Sequence, residues 1–369
     1  MVETRWFRRA GPGIAAAGAI ALIASTTLGA PARAWDPPDC AGQPSVATRG
    51  WAWFRIDPIL ADGTLVGQRL TVGRGGSDRT RFLDLAAESF ASGPYDGRVL
   101  VGTDDGRRST LRIVDVPGGC ASPIGTSSDV IRHALLAPSG DAVYEHRVER
   151  ATRRDLGVWR RSLDATMAPV RALGPIGRDG RFGPTWRTEL SWTEAGTELV
   201  VQSCGEVACR FRVLDPRSGS VDTVADPQLG DAVVVDADHV VAYDACRGLP
   251  CPLVSVARRD GSRRVLAAEA GQATAVRDTT DGALVVFESE VDGGILRRSA
   301  LDGSGAHDLP FAADGRRLVA GPARAAGAGE RRTGWLLLSP DGRPSSGGPF
   351  GSILRRISDG QAVSTDEVP

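Results

Sequence analysis

Apolar residues in this chain come in short runs, each opened by a tight turn. Asp96-Gly97 precedes Val99-Leu100-Val101, and Ser139-Gly140 precedes Ala142-Val143-Tyr144. Ala195-Gly196 precedes Leu199-Val200-Val201, and Ala237-Asp238 precedes Val240-Val241-Ala242-Tyr243. Asp281-Gly282 precedes Leu284-Val285-Val286-Phe287, and Asp314-Gly315 precedes Leu318-Val319. Runs this short, bounded by turn residues, predict strands; no long amphipathic helix follows Trp35. A second set of turns closes each unit: Pro117-Gly118, Ser218-Gly219, Asp260-Gly261, Asp302-Gly303 and Asp341-Gly342. The chain is expected to be all-β.

The pattern repeats. Cys204 and Cys209 form a C-x4-C pair, and Cys246 and Cys251 form another, each member 42 residues after its counterpart. A unit of about 40–50 residues with four strands is the size of a propeller blade. Second strands are expected to start near Trp51, Arg98, Asp141, Thr197, His239, Ala283 and Arg316. These starts favour seven four-stranded blades. The short gap before Arg316 leaves six possible, with one blade lacking its first strand. Asp141 to Thr197 holds a long insertion. With rhythms such as Ser339-Pro340-Asp341-Gly342, the chain resembles the bacterial secreted TolB-like or WD-repeat-like propellers over roughly residues 45–360. The resemblance implies a β-propeller with a tendency to bind, and it transfers no site residue.

The N-terminus reads differently. Arg5, Arg8 and Arg9 are followed by the uncharged run from Ile14 to Leu28, then by Ala32-Arg33-Ala34. This is the three-part pattern of a cleaved signal peptide, and the apolar run is shorter than the ~20 residues of a spanning helix. We therefore expect a signal peptide at 1–34, a lead at 35–48 and a propeller at 49–369. The mature chain would be secreted or extracytoplasmic, associated with the cell envelope, without a stable membrane span, and a monomer. Cleavage after Ala34 removes four arginines and one acid, so the net charge moves from −1 to −4. All 44 basic residues are arginine, and the balance excludes a globally basic nucleic-acid binder. Six cysteines in an exported chain predict disulfides: Cys204–Cys209, Cys246–Cys251 and, by elimination, Cys40–Cys120.

Signs of catalysis are sparse. His133, His146, His239 and His307 form no H-x-x-x-H or H-E-x-x-H motif, and neither a G-x-S-x-G elbow nor a Gly-rich phosphate loop is present. Asp104-Asp105-Gly106 lacks the spacing of a calcium loop and predicts a hairpin turn. No catalytic residue, metal ligand or cofactor is assigned. The expected function is a non-catalytic binding or interaction scaffold for a protein or an anionic envelope polymer. The alternative is a lactonase-like or lyase-like propeller enzyme with a metal in the channel.

In a four-stranded meander, the turns joining strands one to two and three to four share one end. The loops joining two to three, and one sheet to the next, share the other. The first set is short and uniform here, and the second varies in length, charge and cysteine content. Recognition is commonly carried by variable loops on a rigid scaffold, which points to the second end, with Arg150, Arg153, Arg154 and Arg247 as polar candidates. The basic stretch from Arg147 to Arg161 is expected to form a solvated insertion loop. The late run Phe350–Ile357 is expected to meet the lead before Trp51 and close the ring.

Overall fold

The computed structural model describes residues 36–40, 52–74, 80–86, 89–95, 98–116, 118–163, 167–175, 187–205, 208–224, 228–244, 249–278, 282–313, 317–320, 335–339, 353–356 and 362–364. All belong to the unit Ala34–Pro369. Among them every regular element is a strand. The first sheet has the order β1 (Ala52–Ala61), β2 (Thr64–Arg74), β3 (Thr80–Ala86). The second contains β4 (Phe90–Tyr95), β5 (Arg98–Asp104), β6 (Ser109–Asp115) and β7 (Cys120–Ser127). The third contains β8 (Val130–Leu136), β9 (Ala142–Val148), β10 (Asp155–Ser162) and β11 (Val170–Leu173). The fourth contains β12 (Arg187–Trp192), β13 (Leu199–Cys204), β14 (Cys209–Leu214) and β15 (Val221–Val224).

The fifth sheet has seven strands: β16 (Leu229–Val235), β17 (His239–Asp244), β18 (Cys251–Ala257), β19 (Arg263–Asp278), β20 (Gly282–Ser289), β21 (Ile295–Ala300) and β22 (His307–Asp308). It is two meanders sharing one strand. The first part of β19 pairs with β18 up to Ala270, and the rest pairs with β20 from Ala270 onward. The last sheet contains β23 (Arg317–Ala320), β24 (Trp335–Ser339), β25 (Ile353–Arg356) and β26 (Ala362–Ser364). All strand pairs within these sheets are antiparallel.

The period of two along each strand explains the packing. In β13, Leu199 and Val201 join a core with Tyr144 and Leu190 of the third and fourth sheets, while Val200 joins Val240 and Val254 of the fifth. The strand is apolar on both faces because a sheet covers each face. The six apolar clusters of the described residues each lie between successive sheets or meanders. Phe211 and Phe287 are fully buried in two of them, each contributing about 2–3 kcal/mol of burial. Turn glycines such as Gly140 and Gly261 take φ of 73° and 71°, where a side chain would be strained.

Several expectations change. Arg316 does not open a second strand: the strand Arg317–Ala320 is the first of its sheet, so the gap from Ala283 is short because it spans one strand fewer. In the first sheet, β3 reaches β4 through only three residues, too few to cross a sheet, so β3 must end where β4 begins. That makes β1, β2 and β3 the equivalents of strands two to four, and a first strand is absent among the described residues. The C-terminal run pairs with β24 and β26 of its own sheet. The lead runs parallel to β7 at Asp39–Ala121, where Ala121 N–H donates to Pro38 O. Residues 41–51, expected to meet that C-terminal run and close the ring, lie outside the described residues. The predicted basic insertion loop is mostly strand: only 149–154 connects β9 to β10. The signal-peptide expectation at 1–34 lies outside the described residues.

Candidate binding face

Antiparallel order gathers the β1–β2, β5–β6, β9–β10, β13–β14, β17–β18 and β20–β21 connections at one end of the sheets. We call this the loop end and the opposite one the tight-turn end. Arg150 sits on the β9–β10 loop. Its Nη1 and Nη2 donate to the two carboxylate oxygens of Asp104 at 2.9 and 2.7 Å, and its Nε donates to Ser128 O at 3.0 Å. Asp104 closes the β5–β6 turn, so the pair fastens the second sheet to the third. The Asp104 side chain is 5% exposed and also accepts from Gly106 N–H and the Ser109 hydroxyl; Ser109 Oγ accepts from Ile131 N–H. The Arg150 hydrogen bond outweighs burial and holds the Asp104 carboxyl below the usual carboxylate range. Arg150 is thus engaged in a bidentate clamp between sheets. Asp105, beside it, accepts from Arg107 and Arg108 N–H, so this segment is a self-bonded turn.

Arg153, at φ 59°, and Arg154 are exposed on the same loop, and Arg154 pairs with Glu149 at 3.5 Å. Arg247 lies outside the described residues. Arg147 and Arg161, which also looked solvated, are buried around Glu145. The Glu145 carboxylate accepts from Arg147 Nε at 2.8 Å and from Arg161 Nε, with no exposed surface of its own. Glu145 lies on the face of β9 shared with Val143, toward the second sheet, where Arg161 also donates to Thr126 O. His146, on the opposite face, bonds Asp155 at 3.0 Å, while His133 Nδ1 accepts from Leu190 N–H at 3.0 Å. Burial, with the nearby His146, pushes the His133 pKa down to about 4.

Cys40 is bonded to Cys120, tying the lead to β7, and Cys204 is bonded to Cys209 across the β13–β14 connection. Cys251 is disulfide-bonded; its expected partner Cys246 lies outside the described residues. Cys204, Cys209 and Asp231 are the one metal-sized group of ligand atoms among the described residues. Their sulfurs are joined to each other and so are not thiolate ligands, and Asp231 is engaged by Gln202 Nε2 at 2.9 Å and by Arg187. A channel cluster of His, Asp and Glu does not form among the described residues.

Sequence reasoning overlooked the apolar side of this end. Asp62 and Gly63, both at positive φ, make a two-residue hairpin between β1 and β2. The β3 strand ends at Ala86, opposite Gly67, so Thr64, Leu65 and Val66 and their partners extend about 10 Å beyond it. Leu60, Leu65 and Val66 are exposed on this ribbon, Leu60 at 59%. Leu249, Val291 and Ile295 are exposed at the same end of the fifth sheet. The available signal was the Asp62-Gly63 dipeptide flanked by Ile59-Leu60 and Leu65-Val66. The tight-turn end also exposes apolar side chains, Met167, Val170, Val221 and Val265, but they are spread over three meanders, in or just before β11, β15 and β19. There Arg258, 7% exposed, binds Glu198 at 2.9 Å, Asp222 and Asp236 O.

No family model matches the chain, and no curated protein matches its sequence. Solved structures do. A prolyl endopeptidase aligns over 86% of this chain and 48% of its own, at 12% identity and TM-score 0.51. Oligopeptidase B from Leishmania major aligns over 85% and 48%, at 12% identity and TM-score 0.50. TolB from Acinetobacter baumannii aligns over 66% and 60%, at 13% identity and TM-score 0.38. The chain spans about half the length of the two peptidases. At such identities the likeness concerns the fold alone. The expected rhythm of strands and turns is that of an all-β chain with a β-propeller fold.

Proposed function

We propose that this protein is an exported, non-catalytic scaffold that binds a partner through the loop end of its propeller. The observation that carries the reading is the trio of exposed apolar side chains on one hairpin there, Leu60, Leu65 and Val66, with Leu249 and Val291 exposed on two further loops of the same end. Single exposed apolar residues need no explanation, but several on one overhanging hairpin mark an interaction surface. Arg153 and Arg154 supply charge at the same end. The disulfides at Cys40–Cys120 and Cys204–Cys209 support an oxidising compartment, as does the signal-like N-terminus. Among the described residues no helix is long and apolar enough to cross a membrane.

The test is capture from an envelope fraction by the mature chain. Substituting Leu60→Asp and Leu65→Asp, or Arg153→Glu and Arg154→Glu, is expected to abolish retention of the captured partner. Arg217→Glu and Arg259→Glu, exposed at the tight-turn end, are expected to leave it intact. Loss only in the tight-turn variants would sink the reading. The competing enzyme reading requires stoichiometric metal in the purified protein, which elemental analysis measures.

A further inference from the structure

We propose that the seven-stranded sheet presents, at the loop end, an acidic and apolar sector that docks a polypeptide segment carrying arginine or lysine among apolar side chains. This rests on the binding-scaffold reading above and names the chemistry of one partner surface.

Strand register places the sector's parts together. Cys251 pairs with Ala270, Ala270 with Ser289, and Ser289 with Ile295, so these four positions form one row across β18 to β21. Glu269 flanks Ala270, Glu288 and Glu290 flank Ser289, and Leu249 precedes the row by two residues. Glu290 N–H donates to Glu269 O at 3.0 Å, which holds the two segments in contact. The carboxylates of Glu288 and Glu290 both approach buried Gly271. A side-chain carbon there would lie 3.2 Å from Glu288 Oε2 and 2.5 Å from Glu290 Oε1. Glycine at 271 is what allows two like charges to converge.

Among the described residues none of Glu269, Glu288 and Glu290 pairs with an arginine. Asp292, close by, does: it binds Arg297 at 2.7 Å. Glu288 accepts from Gln272 Nε2 at 3.4 Å, yet burial and the neighbouring Glu290 outweigh that bond and push its carboxyl pKa up. Val291 follows Glu290 in the chain and Ile295 lies opposite Ser289; both are exposed, Val291 at 63%, as is Leu249 at the other end of the row. A cationic side chain entering between Glu288 and Glu290 relieves their repulsion, and its apolar neighbours cover the three exposed side chains. The same charge repels nucleic acid, anionic lipid and acidic polymer, which leaves a basic polypeptide as the occupant.

The probe is a fluorescent peptide alternating arginine and leucine, with a glutamate–leucine peptide as control, read by anisotropy against the full mature chain. The arginine–leucine peptide is expected to bind, with affinity falling as salt rises. Glu288→Gln with Glu290→Gln should weaken it by about tenfold and flatten the salt dependence, and Val291→Ser should weaken it without changing that slope. Thermal melting checks that these variants fold, and Glu269→Gln, at an exposed position, repeats the test independently. No binding, or equal binding by the Gln variants, overturns the proposal. Binding of the glutamate–leucine peptide, lost with Arg153→Glu and Arg154→Glu, overturns it while leaving the loop end as the binding face. Binding lost only in Arg217→Glu with Arg259→Glu overturns both.

Discussion

Arg150 separates a structural role from a binding role. Replacing it by alanine strips Asp104 of a bidentate cation and leaves the carboxylate, 5% exposed, with the Ser109 hydroxyl and the Gly106 amide. Stranding a nearly buried carboxylate costs about 2–3 kcal/mol. That is a large part of the roughly 5–15 kcal/mol that holds a domain folded. A neutral partner removes the stranded charge, so Arg150→Ala combined with Asp104→Asn should lose less than the two single losses together, a coupling of about 1–2 kcal/mol. The clamp also has a pH signature. The folded carboxyl lies below its unfolded value, so its contribution is present above about pH 4 and is lost as pH falls further. Arg150→Ala should reduce that acid sensitivity. Urea unfolding of the four proteins of the cycle, at neutral and at acid pH, measures all three quantities. Wild-type stability in Arg150→Ala, with no coupling to Asp104, would refute the clamp. If partner binding vanished in that same stable variant, Arg150 would belong to the recognition surface instead.

His133 should make stability fall as pH drops. Its folded pKa of about 4 lies below the unfolded value, so the unfolded chain takes the proton first and up to about 3 kcal/mol is lost between about pH 6.5 and 4. His133→Asn keeps an acceptor for Leu190 N–H but cannot be protonated, and its melting temperature should change less over that window; identical slopes would contradict the assignment. Glu145→Ala leaves Arg147 and Arg161 buried without their shared acceptor and should cost about 3–5 kcal/mol, more than Glu145→Gln; equal melting of the two would show that the charge is irrelevant. Replacing Cys204 and Cys209 together by serine opens a short loop and should cost about 2 kcal/mol in a denaturant titration, whereas no change in midpoint would show that the bridge does not constrain the unfolded chain.

The all-β class, the repeating meander and the turn positions were legible in the sequence because they are local. Asp-Gly and Ser-Gly turns, β-branched runs and a period of two are set by residues close in the chain, and β5, β9, β13, β17 and β20 start at or within two residues of their expected places. The loops of one end were legible for the same reason, since antiparallel order follows from strand order. What a charged side chain does was not. Arg150 and Arg161 read as solvated charge, yet their partners Asp104 and Glu145 sit on a neighbouring sheet and a neighbouring strand, and only packing brings them together. Arg147 shares Glu145 from two residues along the same strand. The apolar ribbon was hidden too: Leu60 and Leu65 resemble any strand residues until β3 stops short of them at Ala86. Burial is a property of what stands opposite, and strand lengths in a neighbouring segment decide it. Turns and strands were therefore settled along the chain. Which arginine is a clamp, which carboxylates converge and which leucine faces water were settled by the tertiary structure.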